Sequence, residues 1–480
     1  MCYTLNFTKE EQWRRLPWNK FNRQIREIQE RIYDASVRND SRSVRTLQKV
    51  LVGLTPAKFI AVRQVNKITR GKRIKRMDGI SYLTPAQCID LVIEIEIDGK
   101  TDYLCKVFSP KPDRIQVSLG IPTMVDRAKQ FLLLMALEPE WEARFEPNSY
   151  GFRPGRSCQD ARAAICRSLK KKAKYVFDVN IGSRFPTIAH NPLLNKLNTI
   201  PLFRKQIHSW LKSEMKFERG SKSNLAGPSL SVSISPFLVN VALHGLEEYV
   251  GKCLAKCSKN KEFSKTFAVS NGLVVRYANQ FVILYPYLEA LEKVVIEVKK
   301  WLFLLGFEIS KCKASIRHTL YNHNDNDVGF TFLGFYFSHK KGRVGTVTCV
   351  TDQHKSSSLR YSLSQKPDKY KVKQHIRNVR DIIKRMEKRP QVELIVALNS
   401  IIHDWTNYYA FTDNITIFHY CDERLFYRLL RYACNRHPSK SKKWVIKNYF
   451  YKFEGYKWVF ITPDRCSSLR RYSKRVYQNI

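Results

Sequence analysis

The stretch Asn148-Ser-Tyr-Gly-Phe-Arg-Pro-Gly-Arg-Ser157 follows closely on Ala136-Leu-Glu-Pro-Glu-Trp-Glu142, and the two form a long ordered signature. Just upstream, Asp126–Glu138 reads as a buried helix, and downstream Tyr175–Ile181 is a β-rich run. Further toward the N-terminus, Leu91–Ile97 and Tyr103–Phe108 read as strands before a Pro-rich turn at Pro110–Pro112. Toward the C-terminus, the β-rich runs Leu273–Tyr277 and Phe281–Tyr285 flank a short tip, which is a hairpin signal. Leu288–Leu305 reads as an amphipathic helix, and Phe330–Phe337 as another β-rich run. Strands and helices thus alternate around the signature.

Both ends of the chain read as helical. Phe21, Ile25, Ile28, Ile32 and Ala35 recur at spacings of four and three, making one apolar stripe. Asn39-Asp40-Ser41 breaks that pattern and can cap a second helix through Val44, Leu47 and Leu51. Near the other end, Lys371–Lys388 and Val392–Phe411 are the clearest helices. From Arg424 to Phe460, aromatics mix with Lys and Arg, a combination that can stack bases and follow phosphates. The same mix suits an ordinary aromatic core inside a basic bundle, and both readings stand open.

The charge balance narrows the function. The chain carries 84 Lys and Arg against 42 Asp and Glu, a net charge of +42. A compact body with that excess repels itself unless a polyanion compensates it. Nucleic acid does so, because each neutralised phosphate releases a counterion. A basic solubility surface and contact with anionic lipid are the competing readings, but the interleaved aromatics favour nucleic acid. The apolar runs Phe131–Leu137 and Trp301–Phe307 fall far short of the ~18–20 residues a bilayer requires, so no membrane partner is expected. Met1–Phe7 is followed quickly by charge and does not read as a secretory signal. Among 12 Cys, Cys253 and Cys257 form the one tight pair, without a second pair to complete a zinc site, so reduced thiols are expected. The many Lys, Asn, Ile, Phe and Tyr suit AT-rich codons, as in organelle genomes.

With its flanks, the signature closely resembles the group II intron reverse transcriptase/maturase family. Leu119-Gly-Ile-Pro-Thr-Met-Val-Asp-Arg127 resembles the block just upstream in that family, and Trp18–Gly79 its N-terminal extension. Ser233–Glu247 resembles the helix after the template-gripping loop, and Arg276-Tyr-Ala-Asn-Gln-Phe-Val-Ile-Leu284 stands in place of the catalytic hairpin. Leu305-Gly-Phe-Glu308, Lys313 and Phe332-Leu-Gly-Phe335 look like the next blocks. Leu398–Tyr409 and His437–Trp444 resemble the thumb, called domain X, which in the family contacts the intron. The Cys and His pairs of the family's HNH endonuclease are not found in this sequence.

The resemblance implies a polymerase site built on three carboxylates, which hold two Mg²⁺ for in-line phosphoryl transfer. One belongs on a strand five residues before a Phe, which lands here on Asn180, counted back from Phe185. The other two belong to a Tyr-Ala-Asp-Asp hairpin, which here reads Tyr277-Ala-Asn-Gln280. Asn180, Asn279 and Gln280 keep the shape of the acids without the charge. Asp178 shares the strand face of residue 180 but lies about two rises, ~6.5 Å, away, and reads as inherited and non-catalytic. The family's nucleotide-holding Arg is replaced by Val117, and its Pro-Gln-Gly-Gly loop by Ser229-Leu-Ser-Val232.

The expected fold is α+β: a right-hand-like fingers and palm body with a helical N-terminal extension and an α-helical thumb. The expected divisions are 1–80 for the extension, 81–345 for fingers and palm, 346–465 for the thumb and 466–480 for a basic tail. The expected function is an RNA-binding maturase. It would stabilise the folded catalytic form of a group II intron, with no cofactor or metal of its own, while the RNA uses its own Mg²⁺. Expected RNA contacts are Arg63, Lys67, Arg70, Lys72, Arg73, Lys75 and Arg76 in the extension. In the thumb they are Trp405, Tyr408, Tyr409, Arg431, Arg436, Lys440, Lys442, Lys443 and Trp444. Trp405 and Tyr409 share a helix with Leu398 and Ile402 and are equally readable as core. An active RNA-directed DNA polymerase for intron mobility and a general splicing factor for several introns are the alternatives. Homodimerisation stays open, and an organelle is the expected compartment, a plastid before a mitochondrion or a bacterial cytoplasm.

Overall fold

A computed structural model describes residues 8–69, 82–109, 117–181, 188–213, 215–216, 234–257, 272–307, 309, 314–324, 326–341, 361–412, 415–453 and 456–473. The fold is α+β, as expected. The chain forms two compact units, one of Met1–Ala161 with Phe177–Ser315, the other of Arg162–Val176 with Ile316–Ile480. The described residues of 316–341 cluster within the second of these units.

The first unit opens with helices α1 (Lys9–Arg15), α2 (Trp18–Val37), α3 (Ser41–Gly53) and α4 (Thr55–Thr69). Asn39 takes φ +61°, and the Asp40 carboxylate accepts from the Ser43 amide, so the polar triplet read from sequence both ends α2 and caps α3. Helix α5 (Pro85–Glu94) corrects the strand expected at Leu91–Ile97. Thr84 and Gln87 exchange capping bonds and Pro85 presets the first turn, which outweighs the β-preference of the apolar run. Strands β1 (Leu104–Ser109) and β2 (Val117–Ile121) follow, and then α6 (Met124–Glu142).

Helix α6 is the axle of this unit, buried on nearly every side from Met124 to Trp141. Helices α2, α3 and α4 pack on it. Polar pins fix their register: Ser36 Oγ donates to the Glu140 carbonyl (2.9 Å), Gln48 Nε2 to the Glu140 carboxylate (2.7 Å) and Gln29 Nε2 to the Met135 carbonyl (2.9 Å). At its start, Asp126 accepts from Trp210 Nε1 (3.0 Å) and Thr101 Oγ1 (2.9 Å). Each bond satisfies a group whose burial alone would cost stability.

Next come α7 (Cys158–Lys171), β3 (Tyr175–Asn180), α8 (His190–Leu197), α9 (Pro201–Lys212), β4 (Met215–Lys216), α10 (Ser235–Leu243) and α11 (Leu246–Cys257). They are followed by β5 (Leu273–Tyr277), β6 (Gln280–Tyr285), α12 (Leu288–Leu304) and β7 (Ala314–His318). Strand β1 pairs antiparallel with β2 and parallel with β4. The other sheet runs β5-β6-β3-β7. Its β5–β6 hairpin pairs Tyr277 with Gln280, as the sequence suggested.

The second unit holds β8 (Phe330–Phe332), β9 (Phe335–Lys341), β10 (Tyr361–Pro367), α13 (Lys369–Arg385), α14 (Gln391–Tyr408), α15 (Ile415–Arg436), α16 (Lys442–Tyr449), β11 (Phe450–Phe453) and β12 (Tyr456–Phe460). Leu333 and Gly334 both have positive φ, making the tight β8–β9 turn. Phe330, Phe332, Phe335 and Phe337 are fully buried beneath it. The expected basic tail is corrected in part: Leu469, Tyr472 and Ser473 are buried. The buried Asp422 carboxylate on α15 accepts from the amides of Tyr472 (2.9 Å) and Ser473 (3.1 Å) and from Ser473 Oγ (2.6 Å), drawing that segment into the core.

Candidate nucleic-acid interface and the retained polymerase frame

The end of β3 and the tip of the β5–β6 hairpin are brought together by the Ile181 amide, which donates to the Asn279 carbonyl at 3.0 Å. Asn180 closes β3, Asn279 sits in the turn and Gln280 opens β6, so the three positions read from sequence converge. All three are half-buried. Asp178 lies on the same face of β3 as Asn180. The donors at the three positions are therefore amide oxygens, with no anionic charge among them. Among the described residues, no group of three or more His, Cys, Asp or Glu is arranged to hold a metal ion.

The signature loop holds this hairpin from beneath. The Tyr150 amide donates to the Arg276 carbonyl and the Arg276 amide to the Asn148 carbonyl, both at 2.9 Å. The Arg276 side chain is fully buried and donates to Asn240 Oδ1 (2.7 Å), Ser149 Oγ (2.5 Å) and the Ala278 carbonyl (3.3 Å). Burial brings its pKa down to about 10. Asn240 Nδ2 in turn donates to the Gly151 carbonyl at 2.8 Å. Arg153 forks onto Glu142 (2.7 and 2.8 Å) and also reaches the carbonyls of Glu146 and Ser149. Asn148 Nδ2 donates to the Glu247 carboxylate at 2.5 Å. The side chains of Asn148, Ser149 and Arg153, and the close fit of Gly151, thus serve internal contacts that brace the hairpin.

The thumb residues separate into core and surface. Tyr409 is 4% exposed; its hydroxyl donates to the Gly334 carbonyl at 3.2 Å and its ring meets Phe335 edge-on. Tyr408 donates to the Leu333 carbonyl (2.7 Å) and stacks on Phe335. Trp405 stacks on His375 at 4.8 Å and is flanked by Phe418, Tyr409 and Tyr472. These three aromatics knit α14 to its neighbours. Of the two readings open for Trp405 and Tyr409, Tyr409 is core, whereas Trp405 and Tyr408 make these internal contacts while staying half-buried.

The remaining thumb positions gather near the α15–α16 corner. Arg431, Lys440, Lys442 and Lys443 are exposed, and Trp444 is 36% exposed. The Lys440 ammonium lies 5.6 Å from the Trp444 ring centre. Helix α16 begins with Lys442 and Lys443 and has no acid in its first turn, so two cations sit at the positive end of its dipole. That arrangement favours an incoming anion. Arg436 is also spent internally, donating to the Arg389 carbonyl (2.9 Å) and the Tyr432 hydroxyl (2.5 Å).

A second strip was named only in part by the sequence reading, through Arg431. Tyr420, Arg424, Tyr427 and Arg431 follow one another at spacings of four, three and four along α15, and all are exposed. The Arg424 guanidinium lies 5.0 Å over the Tyr420 ring. Burial and the charges of Arg380, Arg431 and Arg424 lower the pKa of Arg428. The spacing was visible in the sequence; the burial of Cys421, Leu425 and Leu429 on the opposite face picks out this one.

In the N-terminal extension, Arg63 is exposed with its guanidinium 4.2 Å over the Trp18 ring, and Lys67 is exposed. Arg70, Lys72, Arg73, Lys75 and Arg76 lie outside the described residues, as do Lys313 and Ser229–Val232. Val117 opens β2. No helix among the described residues is long and apolar enough to cross a membrane.

Three family models match the chain in order. The N-terminal domain of reverse transcriptase matches residues 13–95, reverse transcriptase (RNA-dependent DNA polymerase) 109–337, and the group II intron maturase-specific domain 372–450. Protein YkfC of Escherichia coli is 26% identical over 358 residues, covering 66% of this chain and 91% of that protein. Maturase-like protein 1 of Euglena gracilis is 27% identical over 249 residues, 48% of this chain and 51% of that protein. The group II intron-encoded protein LtrA of Lactococcus lactis is 32% identical over 135 residues, 28% of this chain and 22% of that protein. The chain thus spans about half the length of the Euglena relative and less of LtrA. With all three models in family order, a braced palm hairpin and a helical thumb, the chain belongs to the group II intron reverse transcriptase/maturase family.

Proposed function

We propose that this protein is an RNA-binding splicing maturase that has lost DNA synthesis. It grips a group II intron, foremost the one that encodes it, and stabilises the folded RNA. The RNA then performs its own transesterifications with its own Mg²⁺. The observation that carries this reading is the meeting of Asn180, Asn279 and Gln280 at the palm hairpin. Three neutral amides do not fit two closely spaced divalent ions, which need anionic oxygen to offset their mutual repulsion. The maturase-specific domain is recognisable over residues 372–450, and the thumb carries exposed arginine, lysine and aromatic strips. Phosphate contacts from these strips would position the RNA, and stacking would discriminate among RNAs.

The family members from Euglena and an AT-rich type of composition support an organelle, with a plastid as the proposed compartment. Two assays on the purified full chain test the functional reading. Template-primer extension with Mg²⁺ should give no cDNA, and the host intron's precursor RNA should splice faster with the protein present at low Mg²⁺. Mg²⁺-dependent cDNA would overturn the loss of synthesis; splicing indifferent to the protein would overturn the maturase role.

A further inference from the structure

A cavity of about 710 Å³ opens on the first unit among α2, α4 and α6. Eight of its ten lining residues fall within Trp18–Gly79, the stretch that resembles the family's N-terminal extension. Its floor is apolar: Ile25 and Met135 are buried, and Phe131 and Ile60 are half-buried. Its rim is polar and cationic. Asn19, Arg23 and Arg26 fall at spacings of four and three on α2, giving one stripe, and Gln64 faces them from α4.

Two neighbouring amides are already engaged. Asn22 Nδ2 donates to the Trp18 carbonyl and Gln29 Nε2 to the Met135 carbonyl, both at 2.9 Å. The side chains of Asn19, Arg23, Arg26 and Gln64 make no hydrogen bond or ion pair among the described residues. Glu27 and Glu30, each four residues beyond one of the arginines, do not line the cavity. No acidic side chain thus lines the cavity beside its two arginines.

We propose that this cavity is a binding site for a single unpaired nucleotide of RNA. The proposal rests on the RNA-binding reading above and names where one of its discriminating contacts is made. The volume falls within the ~300–1,000 Å³ usual for sites that enclose small organic groups. The aromatic and aliphatic floor accepts the face of a base. The free amides of Asn19 and Gln64 offer a donor and an acceptor each to its edge. Arg23 and Arg26 can hold the flanking phosphates through forked hydrogen bonds. A paired base cannot enter, because its edge is occupied and its faces are stacked. The occupant is therefore a bulged, looped or terminal nucleotide.

The test uses the full chain and its host intron RNA, with affinity measured across a range of salt. R23Q with R26Q should weaken binding about tenfold and lower the salt slope by about 1.4, at ~0.7 per single-strand phosphate contact. Q64L should weaken binding several-fold without altering the slope, because it removes edge recognition and no charge. Thermal melting of the variants should match the parent, since the altered side chains carry no internal bonds. Ultraviolet crosslinking followed by mass spectrometry should place a nucleotide adduct on α2, α4 or Phe131. If the parent binds the intron and the variants bind it equally with the same slope, the cavity proposal is overturned while the RNA-binding reading stands. If the parent does not bind the intron RNA, both fall. Adenosine or uridine monophosphate binding that Q64L abolishes, without change in RNA affinity, would make it a free-nucleotide site and overturn the proposal.

Discussion

A Cβ placed on Gly151 would stand 2.3 Å from the amide nitrogen of Ala278. The signature loop therefore lies in backbone contact with the tip of the palm hairpin, closer than any side chain allows. Ala278 itself has φ +54°, a conformation that costs an alanine about 1 kcal/mol and persists because the surroundings enforce it.

Gly151→Ala should accordingly destabilise the chain by about 1–3 kcal/mol or more, since backbone on both sides must shift. Gly53→Ala is the control: its added methyl meets nothing within 4 Å, and a neutral or slightly stabilising effect is expected. Urea unfolding followed by circular dichroism distinguishes the two, and equal midpoints would refute the close approach.

Arg276→Met removes the charge at the centre of the hairpin brace and strands Asn240 and Ser149 without their donor. A loss of about 3–5 kcal/mol is expected, as for other broken buried polar networks. Asn240→Leu alone should cost less, and the double variant should fall well short of the sum, because both act through one network. Additive losses would show that the two side chains work independently.

Glu138 gives a pH signature. Burial first, and then the nearby Glu142 charge, push its carboxyl up to about 7 from the usual 4.5. The folded state thus holds a proton that the unfolded chain releases. This stabilising contribution is complete below pH 4.5 and is lost as pH rises through about 7. Glu138→Gln stays neutral throughout. It should match the parent near pH 5 and exceed it at pH 8 by on the order of 1 kcal/mol. Thermal melts of both proteins at the two pH values give the answer, and an unchanged difference would refute the shifted carboxyl.

Surface and core aromatics of the thumb should part company in RNA binding. Tyr427→Ala should leave melting unchanged and weaken intron binding by about 1–3 kcal/mol if its ring stacks on a base. Arg424→Gln and Arg431→Gln should each lower the salt slope by roughly 0.7–0.9. Tyr409→Ala should instead lower the melting temperature, with its folded fraction binding RNA as the parent does. Calorimetry and filter binding on the same preparations separate the two patterns.

Much of this was legible in the sequence, for identifiable reasons. Ile25, Ile32 and Ala35 repeat at helical spacing because one face of α2 is buried on α6. The β5–β6 hairpin was visible because β-rich runs bracket a short tip. Helix α5 was misread because Thr84, Gln87 and Pro85 act through local capping, which overrides the strand preference of Leu91-Val-Ile93. The packing of Leu469 and Tyr472 was hidden because it depends on Asp422, far away in sequence. Position in a motif did not tell core from contact: Tyr409 carries the resemblance to the thumb yet is buried in its interior, and Trp405 beside it is half-buried. The Tyr420–Arg431 strip was spaced as one helix face, but only the burial of the opposite face separates it from the surrounding aromatics.

Crosslinking of the protein to RNA in its own cells, followed by sequencing of the bound RNA, tests the central claim most directly. The maturase reading requires reads concentrated on a group II intron, above all the one that encodes the protein. Reads without intron enrichment would contradict it.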